Sequence, residues 1–324
     1  MRFRLPLFLY TSVVLAAIGV LAGCSGGAGS PSSVPAPQQF VSQSKIKPDN
    51  FFNRLYVADG SAQIVVLDNT YTWLSNISGN TPCPSGEWMT RTGAARLYVA
   101  NFGCNGIPEV TEFKQLGVPP AYGAFQFSYN AGLSDPLFVT TDNSAHVYAG
   151  DYLGQKVVEY AQLSNVVLQQ CSGGFMSGVA VDASGDVFVA EQSPTQIIEY
   201  PGPAGLSNCG AGAPIPATLP SGFAGGELLL DNSNNLIACD QSSGVYKIAA
   251  PSYSSAVLIA TTASFKCLHM SLNSPGNHLF ITEPFTGPPD IQIIKYPSGV
   301  VLPPIVPAAG NHFIRPIGVA ALPG

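Results

Sequence analysis

The stretch Gly178-Val179-Ala180-Val181-Asp182-Ala183-Ser184-Gly185-Asp186-Val187-Phe188-Val189-Ala190-Glu191 decides the fold. Two short apolar runs flank Asp-Ala-Ser-Gly-Asp, a set of residues that closes tight hairpins. The second run ends on an acid. Working outward, the same run, ended by an acid or amide, recurs as Leu55 to Asp59, Leu97 to Asn101, Val147 to Asp151, Leu236 to Asp240 and Leu279 to Glu283. Successive copies start 42, 50, 40, 49 and 43 residues apart, the length of a four-stranded propeller blade. A strand precedes five of the copies: Gly86 to Thr90, Phe138 to Asp142, Gly178 to Asp182, Glu227 to Asp231 and His269 to Asn273. A third strand follows each copy, and a weaker outer strand closes the unit. The near-continuous apolar runs suit sheets packed on both faces.

The first copy lacks its inner strand, and Ile317 to Leu322 repeats the pattern of Gly178 to Val181 at the other end of the chain. The reading is an all-β, six-bladed β-propeller over residues 50–324, closed by a C-terminal strand joining the first blade. An open solenoid would need capping units, which the sequence lacks. Composition agrees. The 324 residues are 46% hydrophobic and only 10% charged, with 34 Gly and 28 Pro, which excludes a disordered chain and a coiled coil.

Arg2 and Arg4 precede an uncharged apolar run, Leu5 to Leu21. The following Leu21-Ala22-Gly23-Cys24 resembles a bacterial lipobox. The resemblance implies a signal peptide over 1–23, lipidation of Cys24 and a lipid-anchored protein of the cell envelope. Ser25 after the Cys points to the outer membrane by the same resemblance. Residues 24–49, rich in Gly, Pro and Ser, read as a flexible tether. The formal charge of −6 becomes −8 once Arg2 and Arg4 are removed, which disfavours nucleic acid as a partner. Ser177 to Glu191 resembles an NHL-type repeat, which implies the propeller fold. Gln63, Gln196 and Gln292 stand near the place of that family's Arg, so its RNA binding is not carried over.

Strand order sends the anchor residues Asp59, Asn101, Asp151, Glu191, Asp240 and Glu283, acids or in one case an amide, to one face, called the top. They form either a polar ring for a ligand or caps on their own turns. The first inner-strand residue is Gly86, Gly178, Gly318 or Phe138 in four blades but Glu227 and His269 in the other two. A Glu beside a His near the channel mouth, with Glu283 and His312 close by, suits a general base or a Ca²⁺ or Zn²⁺ ligand set. It equally suits a hydrogen-bonded channel lining. Such a pair is expected to raise the His pKa. His146 and His278 fall on the opposite face. Phe102, Tyr152 and Phe285 follow anchor acids and suit stacking on a sugar or peptide. Trp88 lies on an inner strand. No Gly-x-Ser-x-Gly elbow, His-Glu-x-x-His, phosphate loop or dinucleotide fingerprint occurs.

Six Cys remain beyond Cys24. Cys83–Cys104 is the first expected bridge and Cys171–Cys209 the second, with Cys239 read as a small buried hydrophobe. The functional expectation is a membrane-tethered, non-enzymatic propeller that binds a protein, peptide or glycan. The alternative is a metal-dependent enzyme, because six-bladed relatives implied by the resemblance include lactonases and lyases.

Overall fold

The computed structural model describes residues 52–60, 63–77, 88–92, 96–101, 107–116, 121–261, 267–273, 275–282, 290–306 and 313–323. Blade one contains β1 (Phe52–Asp59), β2 (Gln63–Leu67) and β3 (Trp73–Ile77). Blade two is β4 (Trp88–Thr92), β5 (Arg96–Asn101), β6 (Glu109–Leu116) and β7 (Ala121–Tyr129). Blade three is β8 (Pro136–Thr141), β9 (Val147–Asp151), β10 (Lys156–Tyr160) and β11 (Val167–Ser172). Blade four has β12 (Met176–Val181), β13 (Val187–Gln192), β14 (Thr195–Tyr200), a 3-10 segment (Gly205–Ala211) and a short β15 (Ala213–Pro214). Blade five is β16 (Gly225–Leu230), β17 (Leu236–Asp240), β18 (Gly244–Ile248) and β19 (Ala256–Thr261). Blade six is β20 (His269–Leu272), β21 (His278–Thr282), β22 (Ile291–Lys295) and β23 (Val300–Ile305). The last strand, β24 (Pro316–Pro323), is the innermost strand of blade one.

All six sheets are four-stranded and antiparallel. The closure read from the sequence is present: Val57 pairs with Val319 and Tyr56 with Ala320. Each inner strand touches the next around the ring, from β4 through β8, β12, β16 and β20 to β24, which returns to β4. The molecule is a closed six-bladed β-propeller. Four inner-strand positions are confirmed as equivalent, since Gly178, Gly318, Phe138 and His269 pair with Ala190, Ala58, Gly150 and Thr282. Blade two differs from expectation. Its inner strand starts at Trp88, paired with Ala100, so Trp88 and not Gly86 holds that position. In blade five a bulge sets Gly226 and Glu227 between the pairs Gly225–Asp240 and Leu228–Ala238.

The core lies between blades, which explains the continuous apolar runs. Along β1, Leu55 and Val57 pack with Phe280 and Ile293 of blade six, while Tyr56 and Ala58 pack with Leu97 and Val99 of blade two. In β17, Leu236 and Ala238 join Phe188 and Ala190, whereas Ile237 and Cys239 join Met270 and Ile281. Successive side chains of a strand point to opposite faces, and here both faces are covered. Each fully buried Leu, Ile, Val, Met or Phe among them contributes about 1.5–3 kcal/mol through burial.

Among the described residues, two disulfides also cross between blades. Cys171–Cys209 ties β11 to the 3-10 segment, as expected. Cys239–Cys267 corrects the reading of Cys239 as a mere buried hydrophobe: it bridges β17 to the loop entering blade six. Cys83 and Cys104 lie outside the described residues.

The inner hairpins share one device. Asp142 Oδ1 accepts the amides of Ser144 and His146; Asp182 Oδ1 those of Ser184 and Asp186; Asp231 Oδ1 those of Ser233 and Asn235. Asn273 does the same for Asn277 and His278. The fourth residue of each turn must be left-handed. It is Gly185 at φ 85°, Asn234 at φ 60°, Gly276 at φ 69°, but Ala145 at φ 63°. Alanine bears a steric cost there that Gly avoids. Ala145→Gly is therefore expected to stabilise the protein by about 1 kcal/mol in urea unfolding, against the usual penalty for adding Gly.

Candidate functional site

The acids that end the second strands are buried, and they hold the loops that enter the inner strands of their own blades. Asp151 accepts the amides of Ser134 (2.9 Å), Asp135 (2.7 Å) and Gly154 (3.1 Å). Glu191 accepts Gly174 N–H at 2.7 Å and the Gln196 amide at 2.6 Å. Asp240 accepts Ala224 N–H at 2.8 Å and Ser242 N–H at 3.2 Å. Asp59 accepts Ile314 N–H at 2.9 Å and also Arg315 N–H. Asn101, also buried, donates its side-chain amide to Thr111 Oγ1. Glu283, Phe102, Phe285 and His312 lie outside the described residues.

Glu227 and His269 sit on adjacent inner strands, and both are buried. Glu227 straddles His269 along the backbone. Its N–H donates to Leu268 O at 3.2 Å, and its Oε2 accepts Met270 N–H at 2.6 Å. One carboxylate thus fastens blade five to blade six. Burial drives the His269 pKa well below its ordinary 6.5, the reverse of the rise expected for a charge-paired imidazole. Among the described residues, no group of three His, Cys, Asp or Glu could hold a metal ion. His146 lies on the opposite face, 3.1 Å from both Asp142 Oδ2 and Glu159 Oε1. His278 Nδ1 lies 2.8 Å from Asn277 Oδ1 in another turn of that face.

A second ring surrounds the top mouth, and the sequence reading missed it. In four blades the residue after the anchor donates its N–H to the carbonyl of the residue before the inner strand. The pairs are Gly60 to Arg315 (2.9 Å), Tyr152 to Asp135 (2.8 Å), Gln192 to Phe175 (3.0 Å) and Gln241 to Ala224 (3.2 Å). The backbone contact repeats while the side chains do not. Tyr152 and Phe175 rings pack at 5.1 Å. Tyr152 Oη donates to Gln192 Oε1 at 3.2 Å, and Gln192 Nε2 donates to Gly225 O at 3.0 Å. Three large apolar side chains, Ile107, Leu153 and Ile314, are exposed in the loops of this face.

Asp135 stands out within this ring. It is 3% exposed, and its Oδ1 has no hydrogen-bond partner. Burial, then repulsion from Asp151, pushes its pKa up to about 7. Only its position, an acid where other blades carry Phe175, Ala224 and Arg315, could have marked it in the sequence.

A cleft of about 410 Å³ opens beside the short β15, lined by Thr195, Ile197, Pro214, Ile215, Leu219 and Ser221 among others, none of them titratable.

No protein-family model and no curated protein sequence matches the chain. Solved structures do match in fold. A functionally unknown protein from Desulfotomaculum acetoxidans is 13% identical, with TM-score 0.57 over 83% of this chain and 99% of that one. Virginiamycin B lyase from Staphylococcus aureus is 10% identical, with TM-score 0.56 over 82% and 87%. A 6-phosphogluconolactonase, so described, from Bacteroides uniformis is 10% identical, with TM-score 0.55 over 78% and 82%. At these identities the likeness is one of fold.

Two measurements check the site. Glu227→Ala leaves the Met270 amide unpaired and is expected to lower stability by about 1–3 kcal/mol, whereas Glu227→Gln, which keeps an acceptor, loses less than half of that. Asp135 has a folded pKa above its ordinary 3.8, so its ionisation opposes folding. Thermal melts of Asp135→Asn and the parent should coincide below about pH 4. The variant should gain as pH rises from there to about 7, and the gap should then stay constant.

Proposed function

We propose that this protein is a non-enzymatic binding propeller of the bacterial envelope, anchored through lipidated Cys24, whose top mouth receives a protein, peptide or glycan. One observation carries the reading. The repeated polar residues are occupied in holding the scaffold, and a ring of non-repeating side chains is laid over them on a repeated backbone. Fixed backbone with varied side chains is what a recognition surface requires. Tyr152 and Phe175 supply an aromatic wall, Gln192 and Gln241 amide groups, and Leu153 and Ile107 apolar area.

The enzyme alternative draws on neighbours named as lactonase and lyase. It needs Glu227, His269 and Glu283 to hold Ca²⁺ or Zn²⁺, but Glu227 Oε2 is engaged by Met270 N–H. Metal analysis of purified protein separates the two. Stoichiometric metal that disappears in a Glu227→Ala, His269→Ala double variant favours the enzyme.

The binding reading is tested on glycan and peptide arrays. A retained probe should lose affinity by at least about tenfold in Tyr152→Ala or Phe175→Ala. Probes bound equally by the parent and both variants would move the site elsewhere.

A further inference from the structure

The exposed apolar residues are not spread evenly. Besides the three on the top face, those of the described residues lie on or beside the outermost strands, near the end of the propeller away from the top mouth. Trp73 is level with Leu55 across β2, Phe125 with Leu97 across β6, and Val301 with Leu279 across β22. Leu97 and Leu279 lie one residue from the start of their second strands, and Leu55 lies four residues before its anchor Asp59. Five of six blades contribute: Trp73 is 36% exposed, Phe125 40%, Val166 62%, Val257 59% and Val300 52%. Blade four, with its short β15, is the exception.

The described acids at this end, Asp142, Glu159, Asp182, Asp186, Glu199 and Asp231, sit on inner hairpins or third strands and are buried or half-buried, while exposed lysines stand beside the outer strands. The connections 161–166, 249–255 and 296–299 contain no charged residue. Asp68, in the corresponding turn of blade one, spends its Oδ1 on the amides of Thr70 and Thr72. Lys295 sits opposite Val300, and Lys114 opposite Ala124, the neighbour of Phe125. Both lysines are exposed. Apolar residues bordered by lysines match a phospholipid surface: the side chains enter the acyl boundary and the ammonium groups meet phosphates.

Where the chain enters the propeller adds direction. β1 begins at Phe52 and runs to its anchor Asp59, so residues before 52 join at the end opposite the top mouth. We infer that this end is a membrane-docking face, its apolar rim seated on the phospholipid surface to which Cys24 is anchored. This rests on the lipoprotein reading. Read as a coil, a tether of some 24 residues has an end-to-end distance of roughly 25–30 Å, which places the rim within reach of the bilayer. Docking there leaves the top mouth facing away from the membrane.

The test uses the mature protein in vesicles of phosphatidylethanolamine and phosphatidylglycerol, with brominated acyl chains as quenchers. Single tryptophans are placed at the rim (Val257→Trp or Val300→Trp) or on the top face (Leu153→Trp), with Trp73→Phe and Trp88→Phe as background. If that background does not fold, both native tryptophans are kept and quenching is read against the parent. Rim emission should fall at least about twofold while Leu153→Trp is unchanged. Mass measurement of the Cys24 peptide reports lipidation separately. Lipidated protein whose rim is quenched no more than the top face overturns the docking face and leaves the lipoprotein reading standing. Unmodified Cys24 overturns both. Rim burial that needs no vesicles and yields crosslinked pairs assigns the surface to a second copy and overturns the inference.

Discussion

The pairing of β1 with β24 is the contact on which the rest depends. Any row of sheets leaves two open faces at its ends, and each exposes apolar side chains to water. Here the two ends meet in one blade, through a ladder that runs from Phe52 opposite Pro323 to Asp59 opposite Pro316. Leu55, Val57 and Val319 then pack with Phe280 and Ile293, so the closing blade is buried against blade six like any other pair. Asp59 binds the amides of Ile314 and Arg315 from 255 and 256 positions away. Asp151 and Asp240 make the same contact across 16 or 17 positions. The closing strand is therefore held by the same acid-to-loop bond as the locally formed blades, although its loop-closure entropy is larger.

That acid-to-loop bond gives the anchor residues a structural duty in the fold. An acid at a fixed place in each repeat faces several backbone N–H groups of a loop that must turn sharply into the inner strand. Buried amides require partners, and a carboxylate with two oxygens supplies them more fully than a hydroxyl does. Glu227 extends the principle between blades: its carboxylate serves Met270 where a bulge has displaced the local ladder. The neighbouring ring side chains vary from blade to blade, and one of them, Gln192, also ties blade four to blade five through Gly225 O. Asp135 differs from both sets. It lies in the ring but is buried beside Asp151 with an oxygen unpaired, so it costs stability at neutral pH.

Much of the architecture is legible because one face-alternating run, buried on both sides, recurs with an acid at its end. Leu55 to Asp59 and Val187 to Glu191 carry that pattern plainly, and Ile317 to Leu322 reveals the strand that closes the ring. Register is less legible. The inner strand of blade two slips from Gly86 to Trp88, and the bulge at Glu227 leaves no residue signature. Bulges are set by backbone geometry and neighbouring packing, neither of which local composition encodes. Cys267 was unreadable as the partner of Cys239 because it lies in a loop without periodicity. The anchors were legible as positions, but not their partners. The direction of a side-chain hydrogen bond depends on the three-dimensional loop path. Tyr152 was visible as an aromatic after an acid, whereas Phe175 and Asp135 are placed in the ring by backbone contacts to the residues that follow the anchors.

Net charge deserves the same spatial reading. A formal charge of −6 suggests an acidic exterior. Yet Asp142, Asp182 and Asp231 aim an oxygen into their own hairpin turns, and the anchors aim theirs at entering loops. Their charge remains, but it is stabilised by nearby amide dipoles, and its reach outside is about 8 Å at physiological salt. Lysines such as Lys114 and Lys295 stand outside that arrangement, exposed on third strands at the propeller's outer edge. Lys156 and Lys247 lie half-buried near Asp151 and Asp231, whereas Lys114 and Lys295 are exposed, so part of the positive charge stands outward of the acids. An acidic total is therefore compatible with a rim that attracts phosphate head groups, because attraction at a surface depends on the nearest charges.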